Sequence, residues 1–132
     1  MAIRIVRLGD PRHPREGLRI GTVRRPPRGV PKRELASGDW YDVWFPNLAP
    51  SAELVKAGQG AGSEAEWRRF ARAYRAEMAA PAPSRELDLL AAFSHTADFA
   101  VGCYCAEESR CHRSILRELL VECGASVAPP ER

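Results

Sequence analysis

The 132-residue chain has no cysteine before residue 103 and only two lysines against eighteen arginines. No apolar run approaches the roughly 18–20 residues that a membrane span needs. Each absence excludes something. Cysteines confined to positions 103, 105, 111 and 123 do not make the disulfide framework of a small secreted scaffold, which distributes its cysteines along the chain. Met1-Ala2-Ile3-Arg4-Ile5 puts a charge where a secretory signal carries its apolar stretch, so no signal is expected. Together these predict a reducing, cytoplasmic compartment and no membrane partner. Internal repeats are missing, and so are helix-turn-helix, RNA-recognition and zinc-finger signatures.

What is present is globular. The chain is 45% apolar and 28% charged, which excludes a mostly disordered protein. Its length suits one domain, expected over residues 1–126, with a frayed tail over 127–132. Charge is uneven. Residues 1–33 hold ten Lys/Arg and two acids, a balance of +8, and the remainder holds ten and fifteen, a balance of −5. That asymmetry fits either a phosphate-bearing partner or a solvated face in an arginine-rich chain.

Pattern predicts strands and helices in alternation. Residues 2–8 are rich in β-branched side chains and read as a strand. Residues 17–24 read as a second strand, with Leu18 and Ile20 on one face, Arg19 between them, and Gly21 as a bulge. The segment Pro26–Pro31 continues neither strand nor helix. It is expected to be a stiff loop presenting Arg24, Arg25, Arg28 and Lys32. Trp40, Tyr41, Trp44 and Phe45 put four of the ten aromatics into residues 38–50, the composition of a packed lid or floor.

Ser51 is positioned to cap a short helix, and Ser63-x-x-Glu66 is a capping box. The helix that follows carries Trp67, Phe70, Ala71, Tyr74 and Met78 at core spacing. Ser84 is read as the cap of another helix, with Leu87, Leu90 and Ala91 inward. The apolar run over 97–105 suggests a buried central strand. A last helix over 111–122 turns Ile115, Leu116, Leu119, Leu120 and Cys123 inward, with Gly124 at its C-terminal cap. The expected fold is therefore an α/β single compact domain, a mostly parallel sheet flanked by helices. Ligands of such sheets bind beyond the carboxyl ends of the strands, where residues 103–113 fall.

That segment is the one cluster able to carry chemistry. It packs Cys103, Cys105, Glu107, Arg110, Cys111, His112 and Arg113 into eleven residues. In one reading Cys105 or Cys111 is a nucleophile or redox thiol. The partial positive charge of the helix start and Arg113 would favour its thiolate, and His112 or Glu107 would move the proton. The free N–H groups there would also hold an anion. Phosphatase chemistry is not assigned, because Arg110 follows Cys105 after four residues and Arg113 after seven, where that spacing requires five. In a second reading Cys103, Cys105, Cys111 and His112 bind zinc. Cys-x-Cys is not the usual knuckle, however, and adjacent Cys111 and His112 would splay on a helix. In a third the thiols are buried apolar groups.

Four motifs in order resemble a known family. Cys105-Ala106-Glu107 with Cys111-His112-Arg113-Ser114-Ile115-Leu116 is similar to the C-terminal signature of the YeaO-like proteins, the DUF 488 domain. Pro27-Arg28-Gly29-Val30-Pro31-Lys32 resembles their P-R-G-[IV]-x-K segment. Leu48-Ala49-Pro50-Ser51-x-Glu53-Leu54 resembles L-A-P-S-x-E-L, and Trp67-x-x-Phe70 with Tyr74 and Glu77 fits the helix after it. The likeness covers roughly residues 17–122. Arg24-Arg25-Pro26 stands where the family usually has D-R-L-W, Val55–Gly58 replaces an R-K-W-F-like run, and Cys103 lies outside the core signature. The resemblance implies a small α/β cytoplasmic domain and names no reaction.

Taken together, these readings imply catalytic roles for Cys105, Cys111, His112, Arg113 and Glu107, and anion contacts at Arg28, Gly29, Arg25 and Ser51. No metal and no cofactor are expected. The expected function is a cysteine-dependent enzyme acting on an anionic or phosphate-bearing substrate. The alternatives are a non-catalytic nucleic-acid or nucleotide-binding module built on the basic N-terminal third, and a zinc-binding domain.

Overall fold

In the computed structural model, which describes residues 1–130, the predicted central strand is the middle of the sheet. Strand β4 (Phe99–Cys103) is buried at all five positions. It lies between β1 (Ile3–Arg7) and β2 (Leu18–Gly21), and the two-residue β3 (Val43–Trp44) completes the order β1-β4-β2-β3. Every pairing is parallel: Ile3 and Leu18 both face Phe99, and Ile20 faces Val43. A strand flanked on both sides and covered on both faces has no polar register to keep, which is why β4 reads as a continuous apolar run.

Helices α1 (Ala52–Gln59), α2 (Glu64–Met78), α3 (Pro81–Phe93) and α4 (His112–Glu122) all feed one cluster with the sheet. Leu54, Phe70, Tyr74, Leu87, Leu116 and Leu120 meet Ile3, Phe99 and Val101. Ala100 and Gly102 turn to the other face. There a Cβ on Gly102 would stand 2.5 Å from the Val6 carbonyl oxygen, so only glycine lets the strands close at that point.

That second face is covered by loops. Arg19, read from the sequence only as lying between Leu18 and Ile20, is 1% exposed, whereas Leu18 is 57% exposed. The reason is a built ion pair. Arg19 Nε donates to Glu16 Oε2 at 2.6 Å and Nη2 to Glu16 Oε1 at 2.9 Å. Its Nη1 donates to the carbonyls of Asp10 and Asp39. Gly21 is a regular ladder position paired with Trp44 and Gly102 and is not a bulge; the Tyr41 ring packs where its Cβ would be.

Helix boundaries follow their caps. Ser63 Oγ accepts from Glu66 N–H at 3.1 Å and donates to Glu66 Oε1. Helix α3 begins earlier than expected, at Pro81 with Ala80 as N-cap, because proline's fixed φ suits the first helical turn; Ser84 lies inside it. Gly124, at φ +84°, ends α4 in the left-handed region. The tail expected to fray from 127 is held at its start. Val127 bridges Ile3, and Ala128 N–H donates to Ile3 C=O at 2.8 Å. Glu131 and Arg132 lie outside the described residues.

Candidate functional site

The carboxyl ends of β1, β2 and β4 open on one cleft of about 1140 Å³. After β1 the chain contributes Leu8 and Gly9, after β2 Val23 to Arg28, and after β4 Tyr104 and Cys105. Val55, Lys56 and Gln59 of α1 form the facing wall, with Trp40 beside them. Arg24 ties the basic loop to that wall by donating to the carbonyls of Pro50 and Ala49 at 2.9 and 3.1 Å. The Tyr104 hydroxyl donates to Arg25 C=O at 2.9 Å. The proline-rich loop therefore hangs over the end of β4, with Arg25 and Arg28 exposed at the cleft.

Two sulfurs meet at the base. Cys103 Sγ and Cys111 Sγ are 2.6 Å apart, and both residues are 2% exposed. Cys105 is exposed and lines the cleft. Hydrogen bonds from the Cys103 and Cys111 thiols, with His112 and Arg113 nearby, bring the Cys105 thiol well below its ordinary range. Donation to Cys105 and Cys111, together with burial, drives Cys103 far above it. For Cys111, a hydrogen bond from Cys103 favours the thiolate, but donation to Cys105 and burial outweigh it and the thiol stands high. The negative charge of the cluster thus belongs on the exposed sulfur.

Cys111 is the N-cap of α4, with φ −126° and ψ 152°. This extended geometry corrects the expectation that Cys111 and His112 splay apart. Their side chains converge, with Cys111 Sγ 3.7 Å from His112 Nδ1. His112 Nε2 donates to Thr22 C=O at 2.8 Å, since a carbonyl can only accept, and that leaves Nδ1 bare. Burial against Tyr74 holds this imidazole neutral, with its pKa lowered to about 4.

The other expected site residues divide. Arg113 is 3% exposed, donates from Nη2 to Cys105 C=O at 2.6 Å, and faces a separate cavity of about 530 Å³ with Glu108. It positions the Cys105 backbone and does not reach into the main cleft, because α4 carries its side chain to the opposite side of the loop. Glu107 is exposed and lines neither cavity. Ser51 spends its Oγ on Leu54 N–H, as the cap of α1, and its N–H on Glu77 Oε1 at 2.9 Å. Gly29, at φ +75° with open space around its Cα, makes the turn of the basic loop.

Cys103 was outside the expected site and is central to the cluster. Its signal was the Cys-x-Cys spacing at a strand end, which turns both side chains to the same face. Cys103, Cys111 and His112 have ligand atoms within 4.8 Å of one another. Two zinc-bound thiolates, with bonds near 2.3 Å at tetrahedral angles, would stand roughly 3.8 Å apart. The pair at 2.6 Å is closer than that spacing. Part of the N-terminal charge is paired, Arg12 with Asp39 and Asp42, Arg19 with Glu16, and Arg24 with backbone carbonyls, while Arg25, Arg28 and Lys32 are exposed.

Fold and cleft define a class: a parallel α/β domain with a thiol cluster at the carboxyl edge of its sheet, ahead of a helix N-terminus. The chain belongs to the DUF488-N3a family, described as the active DUF488-N3 subclade, whose model matches residues 3–124. It is similar to uncharacterized protein YeaO of Escherichia coli (strain K12), 37% identical over 79 residues. That alignment covers 60% of this chain and 64% of YeaO, less than two thirds of the curated relative. No solved structure matches significantly. Among the described residues no helix is long and apolar enough to cross a membrane.

Proposed function

We propose that this protein is a cysteine-dependent enzyme that binds an anionic, phosphate-bearing substrate in the main cleft and attacks it with Cys105. The observation that carries the reading is that Cys105, the exposed sulfur of the three, lines the same cleft as Arg25, Arg28 and Lys56. Cys105 is the nucleophile, its thiolate favoured by the two neighbouring thiols. Arg25 and Arg28 neutralise the substrate charge from the overhanging loop. Neutral His112, with Nδ1 bare, accepts a hydrogen bond from the Cys111 thiol, which keeps its proton and leaves the cluster's charge on Cys105. Arg113 is a positioning residue, acting through the Cys105 carbonyl.

Alkylation tests this on the native protein. Iodoacetamide at pH 6.5, below the reference thiol pKa of about 8.5, should label Cys105 alone. Inorganic phosphate should slow the labelling, and Arg28→Ala should remove that protection while leaving the unprotected rate within about threefold. Cys105 staying unlabelled until the protein unfolds would end the proposal. If phosphate fails to protect but duplex DNA binds with a steep salt dependence, the nucleic-acid-binding alternative takes its place.

A further inference from the structure

Neither Cys103 nor Cys111 attacks the substrate itself, and packing alone does not account for their arrangement. One ends β4 and the other precedes α4, yet their sulfurs are 2.6 Å apart. Leu8, Val23 and Tyr41 wall both of them from solvent. Two residues past Cys103 stands Cys105, the exposed cysteine of the cluster, and with Cys103 it lines the cleft. A buried thiol pair beside an accessible thiolate holds two electrons on which that thiolate can draw.

We propose that Cys103 and Cys111 are a buried dithiol that reduces Cys105 when Cys105 is oxidised; the inference rests on Cys105 being the reactive thiol of the cleft. The oxidant is a hydroperoxide. The Cys105 thiolate attacks the terminal peroxide oxygen, the O–O bond breaks, and the sulfur becomes a sulfenic acid. The departing alkoxide takes a proton from water. Cys111 then attacks the Cys105 sulfur. A Cys105–Cys111 disulfide forms, the S–O bond breaks, and the Cys111 proton passes by way of His112 Nδ1 to the departing hydroxide, which leaves as water. Cys103 next attacks the Cys111 sulfur, giving a Cys103–Cys111 disulfide, and Cys105 leaves as thiolate while the Cys103 proton goes to solvent. One hydroperoxide is reduced to an alcohol and water, and two thiols become one disulfide. The direction of the last step follows from the thiols themselves, because the sulfur most stable as a thiolate is the best leaving group.

The test uses the whole reduced protein, treated with equimolar hydrogen peroxide, quenched by unfolding in N-ethylmaleimide and digested with trypsin without reductant. Cleavage after Arg110 and Arg113 isolates Cys111 in a three-residue peptide, so every bond it makes is read as a cross-link. The expected product joins Cys111 to Cys103 and leaves Cys105 alkylated. Cys103→Ser should stop at the Cys105–Cys111 bond, and Cys105→Ser should slow disulfide formation at least about tenfold. Cys105 advancing to sulfinic acid while Cys103 and Cys111 stay alkylatable overturns the dithiol and leaves the Cys105 reading intact. A Cys103–Cys111 disulfide forming as fast in Cys105→Ser also overturns it. Cys105 inert to both peroxide and iodoacetamide overturns the reading beneath it as well.

Discussion

Arg19 decides more than its position in the sequence suggests. In a four-residue strand it is flanked by Leu18 and Ile20, and alternation alone turns it toward solvent. The fold reverses this because Glu16 lies three residues earlier in a loop that folds back on the sheet. One guanidinium then joins Glu16, Asp10 and Asp39, and so pins the two loops that cover the sheet's second face. Removing one partner of a buried pair leaves an uncompensated charge. Arg19→Met is expected to lower unfolding free energy by about 3–5 kcal/mol, read from urea denaturation. The double change Glu16→Leu/Arg19→Met should recover part of that loss. A double variant less stable than the single one would mean that the carbonyl contacts, and not the ion pair, dominate.

Among the elements, α1 is the most consequential for the cleft and the weakest by itself. It has eight residues and one strong N-terminal device, Ser51 Oγ on Leu54 N–H. Val55, Lys56 and Gln59 are cleft wall only while α1 is wound. Ser51→Ala should cost about 1 kcal/mol, the ordinary worth of such a cap, with phosphate protection of Cys105 unchanged. Protection lost together with unchanged stability would return Ser51 to the anion-binding role that its motif implied. Helix α4 works differently. Its N-cap is a cysteine with no side-chain cap bond, and the extended backbone there turns Cys111 back toward Cys103 and His112.

For the molecule as a whole, His112 links the elements that make the cleft. It joins the segment after β2 through Thr22, α2 through Tyr74, and the thiol cluster through Cys111. The groups facing it are Tyr74, Cys105, Cys111 and Arg113. Burial lowers its pKa to about 4, against about 6.5 for an unfolded chain. The folded protein thus refuses a proton that the unfolded chain accepts. The resulting stability is complete above pH 6.5 or so and is lost as pH falls toward 4, by roughly 3 kcal/mol in all. His112→Gln, which cannot titrate, should flatten the dependence of Tm on pH across that window. Parallel curves for the two proteins would show that the imidazole is not buried neutral.

Much of this was legible in the chain. The run ending at Cys103, the aromatic stripe of α2, the capping serines and the terminal Gly124 each report a local rule: burial on both faces, helical period, an unsatisfied N–H, a left-handed turn. The segment 103–113 stood out because its residue types are costly to bury without a use. Its inner arrangement was not legible. Whether Cys111 is sealed and Cys105 open, whether Arg113 enters the cleft, and whether Cys103 counts at all depend on how β4 meets α4. Local composition therefore determined the elements and the neighbourhood of the chemistry, since propensity, period and capping act over a few residues. Tertiary packing alone decided which sulfur meets solvent and which way each arginine points, because burial is set by segments far apart in the chain, such as Leu8, Val23 and Tyr41 around Cys103 and Cys111.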